Sequence, residues 1–129
     1  ICYNTGKSLL NKQLKDITKD DLIKLTNKEI HDVIKYGVNE FSRANKFSKL
    51  LDNGDLLEIK KTIDSSQCDE QNLYGCSCKE ADEIAELTKN VKGVYGTQIC
   101  GAGMGGTVLV LTNKKTNVDD ILKKYKKLV

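Results

Sequence analysis

The sequence predicts an α+β domain in which helices pack on a small antiparallel sheet. Apolar residues recur at helical spacing through most of the first three quarters of the chain. From Val94 the period changes to short, β-branched runs bounded by glycines. A final stretch with Val118, Ile121, Leu122 and Tyr125 returns to the helical period. No repeat interrupts the 129 residues, so residues 1–129 read as one domain.

Residues 1–25 alternate lysines, aspartates and leucines and are expected to form a helical lead-in of one or two short, weakly packed helices. Thr26 and Glu29 have capping-box spacing, and open a helix whose inward face is Ile30, Val33, Ile34, Val38, Phe41 and Ala44. The chain has no proline, so Asp52, Asn53 and Gly54 must end that helix. A second helix begins at Asp55 with Leu56, Ile59 and Ile63 inward. Ser77 and Glu80 repeat the capping box ahead of a third, carrying Ile84, Leu87 and Val91. Val94 to Cys100 and Thr107 to Thr112 read as strands, the second apolar enough to be covered on both faces. A last helix is capped near Asn117.

Composition excludes several functions. The net charge of +3 comes from 21 basic and 18 acidic residues spread through the chain, too balanced for a nucleic-acid partner. No apolar run approaches the roughly 20 residues needed to cross a bilayer, so no membrane contact is expected. The chain starts at Ile1 with no charged-then-apolar leader, which reads as a trimmed end and not a signal peptide. Five cysteines, an odd number, argue for free thiols and a cytoplasmic protein. Cys76 and Cys78 form a C-x-C pair, but the one histidine, His31, is distant in sequence and no metal site is expected.

Two glycine signals invite a nucleotide reading. Thr5-Gly6-Lys7-Ser8 lacks the upstream glycine and preceding strand of a P-loop. Gly101-Ala102-Gly103-Met104-Gly105-Gly106 satisfies G-x-G-x-x-G, but a strand follows it where a dinucleotide site needs a helix N-terminus. What remains is a loop with four glycines among six residues between two strands, more than a turn requires. Ligand contact through exposed amides and close packing against a neighbour both account for the surplus.

Tyr95-Gly96-Thr97-Gln98-Ile99-Cys100 and the glycine loop to Thr107 resemble the third conserved motif of GHMP kinases, which in galactokinases reads G-[ST]-R-[ML]-T-G-[AG]-G-x-G-G-C. Tyr74-Gly75-Cys76-Ser77-Cys78-Lys79-Glu80-Ala81-Asp82 resembles the Y-x-[CV]-S-C-P-E-L-D segment of galactokinases and N-acetylgalactosamine kinases. Glu40 and Arg43 fall where a helix of that family carries H-V-x-x-E-x-x-R. The three segments cover about residues 31 to 112 in the family's order. Gln98 stands in place of the basic residue, Cys100 of threonine, Gln67 of a frequent histidine and Lys79 of proline.

The resemblance implies a C-terminal domain of the ferredoxin-like GHMP kinase type, with the N-terminal kinase domain absent. It implies a parent that uses ATP and magnesium to phosphorylate the anomeric hydroxyl of galactose or a related hexose. Gly101 to Gly106 would then lie near substrate or phosphate, with Tyr74, Cys76 and Cys78 as core residues. No catalytic residue is expected in this chain, whose partners are the N-terminal domain and the hexose. The chain alone should bind no cofactor and be inactive. The substitutions at Gln98 and Cys100 keep open a non-catalytic sugar-sensing or regulatory relative, a loss of one cation and one hydroxyl weakening the hold on phosphate or sugar.

Overall fold

The computed structural model describes residues 1–101, 103 and 105–126. Its spine is a 26-residue helix, α3 (Lys28–Asn53), which the lead-in grips at one end and the sheet-bearing half meets at the other. Asn27 caps it, its side chain accepting the Ile30 N–H, so the start lies one residue past the expected Thr26 box. Gly54, at φ 66°, closes it in the left-handed conformation expected of the Asp52-Asn53-Gly54 run.

The lead-in packs firmly, contrary to expectation. Helix α1 (Cys2–Leu10) crosses α3 at Gly6, where a β-carbon would overlap the side chains of Ile34 and Ile30. Ile34 is fully buried in a cluster with Ile17, Leu22 and Leu25 from the turn around Leu14–Asp16, helix α2 (Lys19–Ile23) and its end. The absent glycine side chain is what lets two helices approach so closely.

Asp21 ties this region together. It accepts from the Thr18 N–H in a reciprocal capping box, and from Lys12 Nζ at 2.7 Å and Lys24 Nζ at 3.1 Å. The bond from Lys12 and those from Thr18 hold its carboxyl well below the usual carboxylate range.

Beyond Gly54, Asp55 caps helix α4 (Leu56–Asp69), accepting the Glu58 N–H. A π-helical turn, Glu70–Tyr74, extends it to Gly75. Helix α5 (Lys79–Thr88) then leads into strand β1 (Val94–Cys100), which pairs antiparallel with β2 (Thr107–Thr112) in the register Gln98↔Leu109 and Cys100↔Thr107. Helix α6 (Val118–Lys126) closes the described chain, Asn117 accepting the Asp119 N–H at its start. Both strands lie where the β-branched runs placed them.

The hairpin sits between two helical layers. Gly96, Gln98, Leu109 and Leu111 face α3 and α4, and Val108 and Val110 face α5 and α6. Among the described residues no further strand flanks either edge.

Several expected positions differ. Phe41 (43% exposed) and Ala44 are exposed because α4 covers only part of the α3 face. Leu56 is exposed at the first turn of α4, while Ile59 is buried. Cys78, not Ser77, occupies the N-cap of α5, without a side-chain cap bond, since the Ser77 hydroxyl is turned to Asp82. Val91 lies past the end of α5, where the Thr88 hydroxyl donates back to the Ile84 and Ala85 carbonyls. Strand β2 is not covered on both faces: Leu109 is 59% exposed beside the gap between α3 and the sheet. Among the described residues no helix is long and apolar enough to cross a membrane.

Because the folded pKa of Asp21 lies below its ordinary value of 3.8, its stabilisation is present above that pH and is lost as pH falls through the folded value. Asp21→Asn should therefore lower Tm at pH 7, with the gap to wild type closing as thermal melts are taken below pH 4. A pH-independent gap would assign the loss to shape alone.

Candidate functional site

The glycine loop leaves the end of β1, and its described residues do not share one environment. Gly103, at φ 76°, is buried, and a β-carbon there would overlap the Cys76 carbonyl. Gly101 and Gly105, at φ 101° and 107°, are exposed with nothing within 4 Å of where a β-carbon would stand. Gly106 is exposed too. The packing reading thus applies to Gly103, while the backbone stands open at 101 and 105. Ala102 and Met104 lie outside the described residues.

The pedestal under Gly103 is the tyrosine–cysteine segment. Asp82 on α5 accepts from the Ser77 hydroxyl and from Gln71 Nε2 at 2.6 Å, which ties the turn at Cys76 to both α5 and the π-helical turn. The serine and aspartate of that motif therefore have a physical relation: one is the donor to the other. Tyr74 is not a core residue as expected. It is 41% exposed and stacks on Tyr36 of α3, ring centroids 4.8 Å apart and planes 8° off parallel. Cys76 and Cys78 are half-buried, Cys68 and Cys100 exposed, and all five thiols stand unpaired.

Strand β1 is gripped just before the loop. Gln67 Oε1 accepts the Ile99 N–H at 2.9 Å, Gln98 Nε2 donates to Ser66 Oγ at 2.8 Å, and the Thr88 and Thr97 hydroxyls bond across the other face. Gly96 permits the approach, since a β-carbon there would come within 2.7 Å of Ile63. Gln98 thus points down to α4 and not into the loop.

Below this lies a charged cluster joining α3 to α4. Arg43 Nε donates to Glu40 Oε1 at 2.6 Å, and both terminal nitrogens donate to Asp69 Oδ2 at 2.9 Å, where Asn39 also donates. Glu70 is only 5% exposed, and burial, with the nearby charge of Glu40, raises its pKa, while a bond from Gln98 opposes the rise. Burial likewise raises Tyr36, with Glu70 adding to it. The Glu40 and Arg43 pair singled out in the sequence is therefore a strut between helices. Beside it, a groove of about 340 Å³ runs between Ala44, Phe47, Ile63, Leu109 and Leu111.

Comparison with known proteins decides the family. Residues 47–129 match the family model "GHMP kinases C terminal". The chain belongs to the GHMP kinases. It is 30% identical to the galactokinase of Thermotoga petrophila over 129 residues, covering 98% of this chain and 37% of that protein. It is 32% identical to the galactokinase of Pyrococcus furiosus over 115 residues, covering 86% of this chain and 32% of that protein. The Lactococcus lactis galactokinase, solved in complex with galactose, superposes with a TM-score of 0.81 at 20% identity, over 98% of this chain and 37% of that one. The fold is that of a galactokinase C-terminal region, and the chain spans about a third of the length of these relatives.

In this GHMP kinase chain, the grip of Gln67 on Ile99 and the Tyr36–Tyr74 stack escaped sequence reading. Ser66 and Gln67 on α4, and Glu70 at the start of the π-helical turn, continue the inward stripe of Ile59 and Ile63, and polar residues on an apolar stripe are the signal that marks them. Among the described residues no three His, Cys, Asp or Glu side chains converge to hold a metal ion.

Thermal melts should separate the two kinds of glycine. Gly103→Val and Gly105→Val both force a β-branched residue to positive φ, at about 1–3 kcal/mol each. Only Gly103→Val also meets the Cys76 carbonyl, so it should lower Tm by several degrees more. Equal losses would remove the packing role of Gly103.

Proposed function

We propose that the parent protein transfers the γ-phosphate of ATP to the anomeric hydroxyl of galactose or a related hexose, and that residues 1–129 form its C-terminal domain. In this reading the backbone from Gly101 to Gly106 lines the cleft opposite the nucleotide, and the parent's remaining length is the domain against which it closes. The observation that carries it is the open backbone at Gly101 and Gly105, presented on a hairpin braced from below. Amides fixed at positive φ offer donors to a sugar or phosphate oxygen without reorganisation during reaction. Phosphoryl transfer also needs a base and charge neutralisation. Among the described residues no three His, Cys, Asp or Glu side chains converge, and in this reading metal, nucleotide phosphates and base belong to the rest of the parent, which we place in the cytoplasm.

One observation favours a second reading, a sugar-sensing relative without turnover. Gln98, at the position where the resemblance puts a cation, is neutral and bonded to Ser66, so nothing there offsets phosphate charge.

A coupled phosphorylation assay of the full-length parent against galactose, N-acetylgalactosamine and mevalonate distinguishes the two. Kinase function predicts turnover with a hexose and none with mevalonate, and none by residues 1–129 alone. Saturable hexose binding without turnover by the parent would establish the sensor, and turnover with mevalonate would overturn both.

A further inference from the structure

The side chain of Gln67 is arranged at the expense of its own hydrogen bonding. It is 6% exposed, its Oε1 accepts the Ile99 N–H, and its Nε2 has no partner among the described residues. Rotating the amide by half a turn would oppose two donors, so the strand amide dictates the orientation. Ile99 needs this acceptor because its N–H points away from β2, towards an edge where no other strand runs among the described residues. One residue earlier Gln98 is bonded to Ser66, and two residues later the glycine loop begins with Gly101. A buried orphan donor is costly, and a fold retains one where the geometry it secures matters.

We propose that Gln67 is the positioning residue of the glycine loop: its acceptor fixes the height of Ile99 above α4, and thereby where the amides of Gly101 and Gly105 stand relative to the sugar and phosphate. It touches no substrate and acts through β1. The inference rests on the kinase reading for its readout in turnover, but not for its readout in loop motion.

The test compares Gln67→Met, Gln67→His and Ile34→Val in the full-length parent. Methionine keeps length and apolar bulk but removes the acceptor; a histidine ring nitrogen can accept the same proton. Ile34→Val loosens the core around α1 and α3, away from the loop, and serves as the stability control. Gln67→Met should raise the hexose KM about tenfold, the scale of a lost hydrogen bond to a positioned group. It should also speed amide hydrogen exchange across residues 99–107. Gln67→His should restore both, and Ile34→Val should move neither despite a lower Tm. Equal effects of Gln67→Met and Ile34→Val, or no rescue by histidine, would overturn the proposal. If the wild-type parent proves inactive, the kinase reading fails and the exchange comparison alone decides the role of Gln67.

Discussion

The sheet-bearing half of this chain depends on how a two-stranded hairpin is held. An isolated hairpin is marginal in water, because each strand leaves one edge of unpaired amides and carbonyls. Here α4 does for β1 part of what a third strand would do: Gln67 supplies the acceptor that Ile99 lacks, and Gly96 lets the backbone come close enough to Ile63 for that bond to form. The Thr88–Thr97 bond sets the same strand against α5. Where β1 stands then determines the start of the loop, and Gly103 on the Cys76 carbonyl determines its middle.

The two halves of the molecule are built on different economies of contact. The lead-in and α3 bury aliphatic side chains around Ile34 and make room for them with Gly6. The α4–β1 region relies instead on polar groups on inward faces, Ser66, Gln67, Glu70 and Thr97, each useful only while its partner is in place. Such bonds specify geometry more sharply than apolar contact does. Leu109 and Phe41 stay exposed, and the groove between α3 and the sheet, on the face that also carries Ser66 and Gln98, remains uncovered.

Elements that depend on local chemistry were legible in the sequence. The strands, the glycine ending at Gly54, the cap at Asp55 and the final helix follow from β-branching, left-handed preference and side-chain oxygens at helix starts. Elements decided by tertiary partners were not. Thr26 and Ser77 had the spacing of caps, but Asn27 competes with the first and Asp82 takes the hydroxyl of the second. The firmness of the lead-in depends on a close approach at Gly6 that only the opposing Ile34 makes visible. In the candidate site the glycine surplus marked the loop, but not its division between buried Gly103 and open Gly101 and Gly105, because that division is set by a carbonyl 27 residues earlier.

Native-state hydrogen exchange at the Ile99 amide tests the central claim most directly, since that proton has a side chain and not a strand as its acceptor. If Gln67 holds β1 as described, Ile99 exchanges as slowly as the interior of α3, while Gly101 and Gly105, two and six residues on, exchange orders of magnitude faster. An Ile99 amide that exchanges at the rate of the loop would contradict the account.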